Sequence, residues 1–215
     1  KMNILKPELT SMLSDSITWS IGQRDLYKSD LIMLDIIASN DWKRPIYFSA
    51  TLSSSNYLNL KEYMQLEGLA YRIVPVKGRP ERVNTEAMYD NMMNKFVWGN
   101  IADPNVYLDE QHVRMARTMR MMFGQLAEAL INEGQKEKAL AALDKCMEVI
   151  PTTSVPADYS TAMLAGYYYE LGQTEKADNL TRPLLDDCIQ KIECVNSLNT
   201  KKRKRISQEL SIRQN

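Results

Sequence analysis

The sequence is poor in the residue types on which most enzyme chemistry depends. It has one histidine, His112, and three cysteines, Cys146, Cys188 and Cys194. It has no glycine-rich phosphate cradle, no His-Glu-x-x-His pair and no Gly-x-Ser-x-Gly elbow. Cys188 and Cys194 are six residues apart, which puts them on different faces of a helix. With an odd count, that spacing argues against a disulfide framework or a zinc site and reads as three core or near-core thiols. No metal and no cofactor is expected. Asp or Glu alone could serve acid–base chemistry, but nothing in the sequence pairs any two of them. No apolar run reaches the ~18 residues of a membrane span; the best, residues 31–38, is interrupted by Asp35. Lys plus Arg equal Asp plus Glu at 27 each, so no net field draws in nucleic acid, and no nucleic-acid partner is expected.

What is present is a repeat. Gly-Gln-Lys-Glu-Lys-Ala at residues 134–139 recurs as Gly-Gln-Thr-Glu-Lys-Ala at residues 172–177, and self-similarity at this spacing marks helical repeats. Before the first copy, Met115, Met119, Phe123, Leu126 and Leu130 fall three or four apart, the stripe of an amphipathic helix. Gly134 turns the chain; Ala139, Leu140, Leu143, Met147 and Ile150 form a second stripe, and Pro151 stops it. The second unit follows the scheme with Leu164, Ala165, Tyr168 and Leu171, then Gly172, then Ala177, Leu180, Leu184 and Ile189. Pro183 inside that last stretch predicts a kink or a break. Ala127 with Ala139, and Ala165 with Ala177, are small residues where two helices must cross closely. These positions resemble the tetratricopeptide repeat; the alternative is any antiparallel hairpin with an alanine crossing. The 13 methionines read as core filling.

The N-terminal half reads differently. Ser29 or Asp30 would cap a helix over residues 31–38. Residues 46–48 and 69–76 read as strands, residues 57–66 as a helix between them, and the two strands as a parallel βα pair. Residues 85–96 read as a helix, residues 17–21 as a short strand and residues 8–13 as a helical turn. The predicted fold is mainly α. A small α/β unit of two or three strands (1–108) precedes two hairpins (about 115–151 and 158–192, within 109–195). A basic helix or tail, 196–215, closes the chain; within it residues 201–213 would be a capping helix and residues 201–205 (Lys-Lys-Arg-Lys-Arg) a solvated run. The start Lys-Met-Asn-Ile-Leu fits a piece of a longer protein.

Several runs carry a further resemblance: residues 30–38, 42–48 (Trp-Lys-Arg-Pro-Ile-Tyr-Phe), 63–72, 88–96, 98–100 and 103–110 (Asp-Pro-Asn-Val-Tyr-Leu-Asp-Glu). Over about residues 25–190 the chain resembles the C-terminal region of a family of multi-spanning Bacteroidetes membrane proteins. That family is of unknown or glycosyltransferase type and is similar to eukaryotic protein O-mannosyltransferases. The resemblance implies a membrane part ahead of this chain that holds the catalytic acid, so no residue here inherits a catalytic role. It also implies an extracytoplasmic, periplasmic location tethered to the inner membrane.

Three constellations are candidate binding sites. Trp42, Arg44 and Tyr47, with Lys43, combine stackable rings and charge as a sugar or lipid-headgroup site would; a strand entry with one buried Trp is the simpler account. Arg114, Arg117 and Arg120 form a row that could hold an anion or could be a solvated face. If the hairpins line a concave groove, it presents Gln125, Glu128 and Asn132 from the first unit and Tyr159, Met163 and Tyr169 from the second. The expected function is a non-catalytic module that binds a partner protein or a glycan acceptor. A free-standing, cytoplasmic adaptor and a sugar-binding or sugar-modifying α/β domain are the alternatives.

Overall fold

The computed structural model describes residues 16–22, 25–78 and 82–198. The expected helical turn at residues 8–13 and capping helix at residues 201–213 lie outside them. The fold is mainly α with a small α/β unit at its N-terminal side, as the sequence predicts.

Helix α1 spans Lys28–Ser39. It starts earlier than expected, with Tyr27 and not Ser29 or Asp30 as the cap; Asp30, three positions on, accepts a hydrogen bond from the Tyr27 N–H (3.0 Å). Strand β1 (Tyr47–Ser49) follows, then two short 3-10 turns, Ser54–Tyr57 and Leu60–Tyr63, then β2 (Met64–Leu66), β3 (Ala70–Ile73) and β4 (Arg82–Val83). The expected helix over residues 57–66 is therefore absent. Leu58 and Asn59 both have positive φ (49° and 60°), which breaks the helix between the two turns. The sheet order is β1-β3-β2-β4. β1 pairs with β3 antiparallel, not parallel as expected, because β2 enters between them in sequence and forms a hairpin with β3. β4 adds to β2 in parallel. Residues 17–21, expected as a short strand, join no ladder; Trp19 Nε1 and the Tyr63 hydroxyl tie them to the turns, donating to Leu58 O (3.0 Å) and Thr18 O (2.9 Å).

Helix α2 (Thr85–Asp90) runs into a π-helical turn, Asn91–Lys95. Four longer helices complete the chain: α3 (Glu110–Asn132), α4 (Lys136–Val149), α5 (Tyr159–Glu170) and α6 (Thr174–Ser197). They form two antiparallel hairpins joined through α3 and α5. Gly134 and Gly172 take φ of 76° and 74° at the two tight turns. Ala127, Ala139 and Ala177 are fully buried and Ala165 nearly so, as the crossing requires. Gly124 allows a close approach of α5: a Cβ there would lie 2.2 Å from Met163 Cε. Pro183 neither breaks nor ends α6.

The α/β unit packs on the first hairpin. Trp98 lies 5.2 Å from the Phe123 ring, and Thr85 Oγ1 donates to Glu133 Oε2 (2.8 Å). No helix among the described residues is long and apolar enough to cross a membrane.

Candidate functional site

Strand alternation gives the small sheet two unlike faces. Phe48, Tyr71, Ile73, Met64 and Leu66 face the core, with Tyr57 edge-on to Phe48 and Tyr71. On the other face the pairing aligns Tyr47, Arg72, Gln65 and Arg82 in one row across all four strands. Glu67, two residues beyond Gln65, is the centre of this face. Its carboxylate accepts from the Tyr47 hydroxyl (3.0 Å), Gln65 Nε2 (2.6 Å) and Asn84 Nδ2 (3.3 Å), and Arg72 Nη1 lies 3.6 Å away. Asn91 Nδ2 donates to the Glu67 carbonyl (2.6 Å). Burial and the Glu67 carboxylate raise the Tyr47 pKa. A carboxylate so surrounded has little free lone-pair capacity to act as a base. Arg82 is the exception on this face: its Nε and Nη2 are buried with no partner, and burial lowers its pKa.

At the entry to β1 the chain makes a rigid turn. Asn40 O accepts from Lys43 N (2.9 Å), Asn40 Oδ1 from Arg44 N (3.2 Å), and Asn40 Nδ2 donates to Arg44 O (2.7 Å). Asp41 and Trp42 both have positive φ (48° and 54°). The expectation of a buried Trp at this strand entry is corrected: the turn holds Trp42 outward, 41% exposed. Arg44 is exposed, and Tyr47 is half exposed. Helix α1 leaves Leu31, Ile32 and Ile36 more than half exposed, while Met33, Leu34 and Ile37 pack against the core.

Residues 1–95 match the family model described as TMEM260-associated domain 2. The matched stretch holds the sheet, the turn at residues 40–44 and α1, and it stops at the end of the π-helical turn. The four long helices lie outside it. No curated protein and no solved structure matches the chain.

The two hairpins meet through their first helices, α3 and α5. Glu128 Oε2 accepts from the Tyr167 hydroxyl (3.1 Å), a bond that links the two helices. Burial, first, and then Glu128 push the Tyr167 phenol up to about 12. Met163 is occupied in packing over Gly124. Gln125 is half-buried, Asn132 exposed, and Tyr159 stands 78% exposed. Tyr169 faces its own hairpin partner and donates to Asp178 Oδ1 (2.6 Å).

The arginine row is not uniform. Arg114 is exposed and Arg117 pairs with Asp158 (3.0 Å). Arg120 is fully buried, so the solvated face expected there is corrected. Its guanidinium donates to Ile150 O (3.1 and 2.9 Å), Val155 O (2.6 Å), Pro156 O (3.2 Å) and Thr161 Oγ1 (3.3 Å). It thus clamps the linker between the hairpins. The signal was in the sequence: Ala116, Arg120, Phe123 and Ala127 fall on one apolar stripe. The cysteines also divide. Cys146 is buried, with its thiol pushed up to about 12 by desolvation, but Cys188 and Cys194 are exposed, against the expectation of three core thiols. Sequence reasoning missed Glu67, Gln65 and Arg72, which period-two alternation in residues 64–67 and 70–73 could have found.

A cavity of about 160 Å³ lies between the end of β1 and α3, lined mainly by Ala50, Leu69, Met115 and Met119. Among the described residues no group of three or more His, Cys, Asp or Glu is placed to hold a metal ion.

Proposed function

We propose that this chain is a non-catalytic, extracytoplasmic module of a TMEM260-like, membrane-bound glycosyltransferase-like protein, and that it binds a partner protein or the acceptor substrate. The observation that carries the reading is the exposed set Leu31, Ile32, Ile36, Trp42 and Tyr47, which lies inside the stretch matching TMEM260-associated domain 2. Large exposed apolar and aromatic side chains mark candidate interaction sites, and Trp and Tyr are residues that dominate such interfaces. The one buried carboxylate of the sheet face is saturated by the chain's own donors, which favours binding over catalysis. The two hairpins read as tetratricopeptide-like, and their α3–α5 face adds a second surface on which Tyr159 and Gln125 are available.

The test is made in the full parent protein. Ile32→Glu with Ile36→Glu changes only exposed side chains. The double variant is expected to keep its far-UV circular dichroism while binding of the acceptor protein, read by titration calorimetry, weakens at least about tenfold. Unchanged binding sinks the surface. A parent gene without upstream spans of about 20 apolar residues sinks the membrane-module reading.

A further inference from the structure

We propose that the cavity between the end of β1 and α3 is a binding site for one apolar ring of benzene size, carried by a small aromatic molecule or by a phenylalanine side chain of a partner polypeptide. The cavity lies at the seam where the α/β unit meets the first hairpin, the kind of junction at which ligand sites gather. Its volume is about 160 Å³. An apolar cavity of about 150 Å³ is enough to hold a benzene molecule. None of its lining residues among those described belongs to the exposed set on α1 and β1 or to the turn at residues 40–44, so the site does not depend on the function proposed above.

The wall selects an apolar occupant. Ala50, Leu69, Met115 and Met119 supply carbon and sulfur. The three hydroxyls of the lining, those of Ser49, Thr51 and Thr118, are engaged within the chain. Ser49 Oγ and Thr51 Oγ1 bond each other (2.8 Å), Ser49 Oγ also accepts from Thr51 N (3.3 Å), and Thr118 Oγ1 donates to Arg114 O one turn back (3.1 Å). A buried water needs two to four polar partners, and this wall has few to spare, so water is held weakly and an apolar group displaces it at little cost. The same shortage disfavours a sugar, whose hydroxyls would be buried unpaired. Met115 and Met119, one turn apart on α3, add two unbranched thioethers, which repack round a ligand and make favourable contacts with ring edges. Met115 is 51% exposed, and Ser49 and Thr51 are exposed, so the cavity opens to solvent on this side.

Titration of the full chain with benzene, followed by NMR of isotope-labelled methionine methyl groups, tests this. Of the 13 methionine signals, those of Met115 and Met119, assigned with Met115→Leu and Met119→Leu, should shift by ring current and saturate with a Kd on the order of 1 mM. Ala50→Leu and Thr118→Leu each put extra carbon into the cavity and should weaken benzene binding at least about tenfold with the far-UV circular dichroism retained. Thr118 sits at a half-buried helical position, where leucine is a good helix former, so its variant carries the test if Ala50→Leu does not fold. N-acetyl-phenylalanine amide that moves the same two signals assigns the ring to a polypeptide side chain; benzene alone moving them assigns it to a free small molecule. The proposal is overturned by the absence of a saturating shift at Met115 and Met119, by shifts of equal size spread over the other methionines, or by a folded, filled variant that binds benzene as tightly as the unaltered chain.

Discussion

Replacing Arg120 by Met should remove a large part of the stability of the helical half. Arg120 is fully buried, and its guanidinium is the hydrogen-bond donor to three linker carbonyls, Ile150 O, Val155 O and Pro156 O, as well as to the Thr161 hydroxyl. Met fills most of the same volume but donates nothing. Thr161 keeps a bond from Asp158 N (3.3 Å), so the three carbonyls are the orphans. Each buried orphan costs about 1–3 kcal/mol, and part is recovered because a buried cation no longer has to be desolvated. The net expectation is a loss of about 3–5 kcal/mol. For a chain of this size that is a fall of about 10 °C in Tm. Arg120→Lys keeps the charge but presents an ammonium that cannot reach all three carbonyls, so it should fall between wild type and Met. Thermal and urea melts followed by far-UV circular dichroism measure both. A Met variant that melts within about 2 °C of wild type, or a Lys variant less stable than Met, refutes the clamp.

Ala139→Leu and Ala177→Leu place extra volume at two fully buried helix crossings and should each cost roughly 1–3 kcal/mol by overpacking; unchanged melting of both would remove the crossing geometry. Arg82→Met deletes two buried N–H groups that have no partner, so it should be neutral or stabilising by about 1 kcal/mol, and a clear loss in a urea melt would show that the guanidinium has a partner after all. Tyr167 and Tyr168 donate to Glu128 and Asp144, and burial raises both phenols above their ordinary value of 10.0, Tyr167 to about 12. A raised phenol pKa stabilises the fold below the unfolded value and that contribution drains away as the solution becomes more alkaline. Tm should therefore decline between about pH 10 and pH 12, less steeply in the Tyr167→Phe, Tyr168→Phe double variant, and equal slopes would contradict the assignment.

How much of this was readable from the sequence depended on whether the information was local. The hairpins were legible because a glycine at each turn and a pair of alanines at each crossing are local requirements. Two strands of the small sheet, β1 and β3, were legible too, but their pairing was not, because it is decided by which strand arrives between two others. Met64-Gln-Leu carries no mark that it will insert beside β3, and the break between the two 3-10 turns is made at Leu58 and Asn59 without the glycine that usually signals it. Arg120 was misplaced for a related reason. A charged residue type points to solvent, while the acceptors of Arg120 lie 30 to 41 positions away, in the linker and at the start of α5. In the candidate site, Trp42 and Tyr47 were visible as residue types, but the Glu67 network that orients Tyr47 depends on strand register.

The turn at residues 40–44 bears on the thermodynamics of any encounter at this surface. Two consecutive non-glycine residues in the left-handed region cost about 1–2 kcal/mol each, and the three hydrogen bonds of Asn40 offset that cost within the folded chain. A ligand that contacted the Trp42 indole would therefore meet a residue whose backbone freedom is already surrendered. Loop ordering would contribute little unfavourable entropy to binding. Asn40→Gly would return that freedom, so a ligand contacting Trp42 should bind the variant with a larger entropic penalty and nearly the same contact enthalpy.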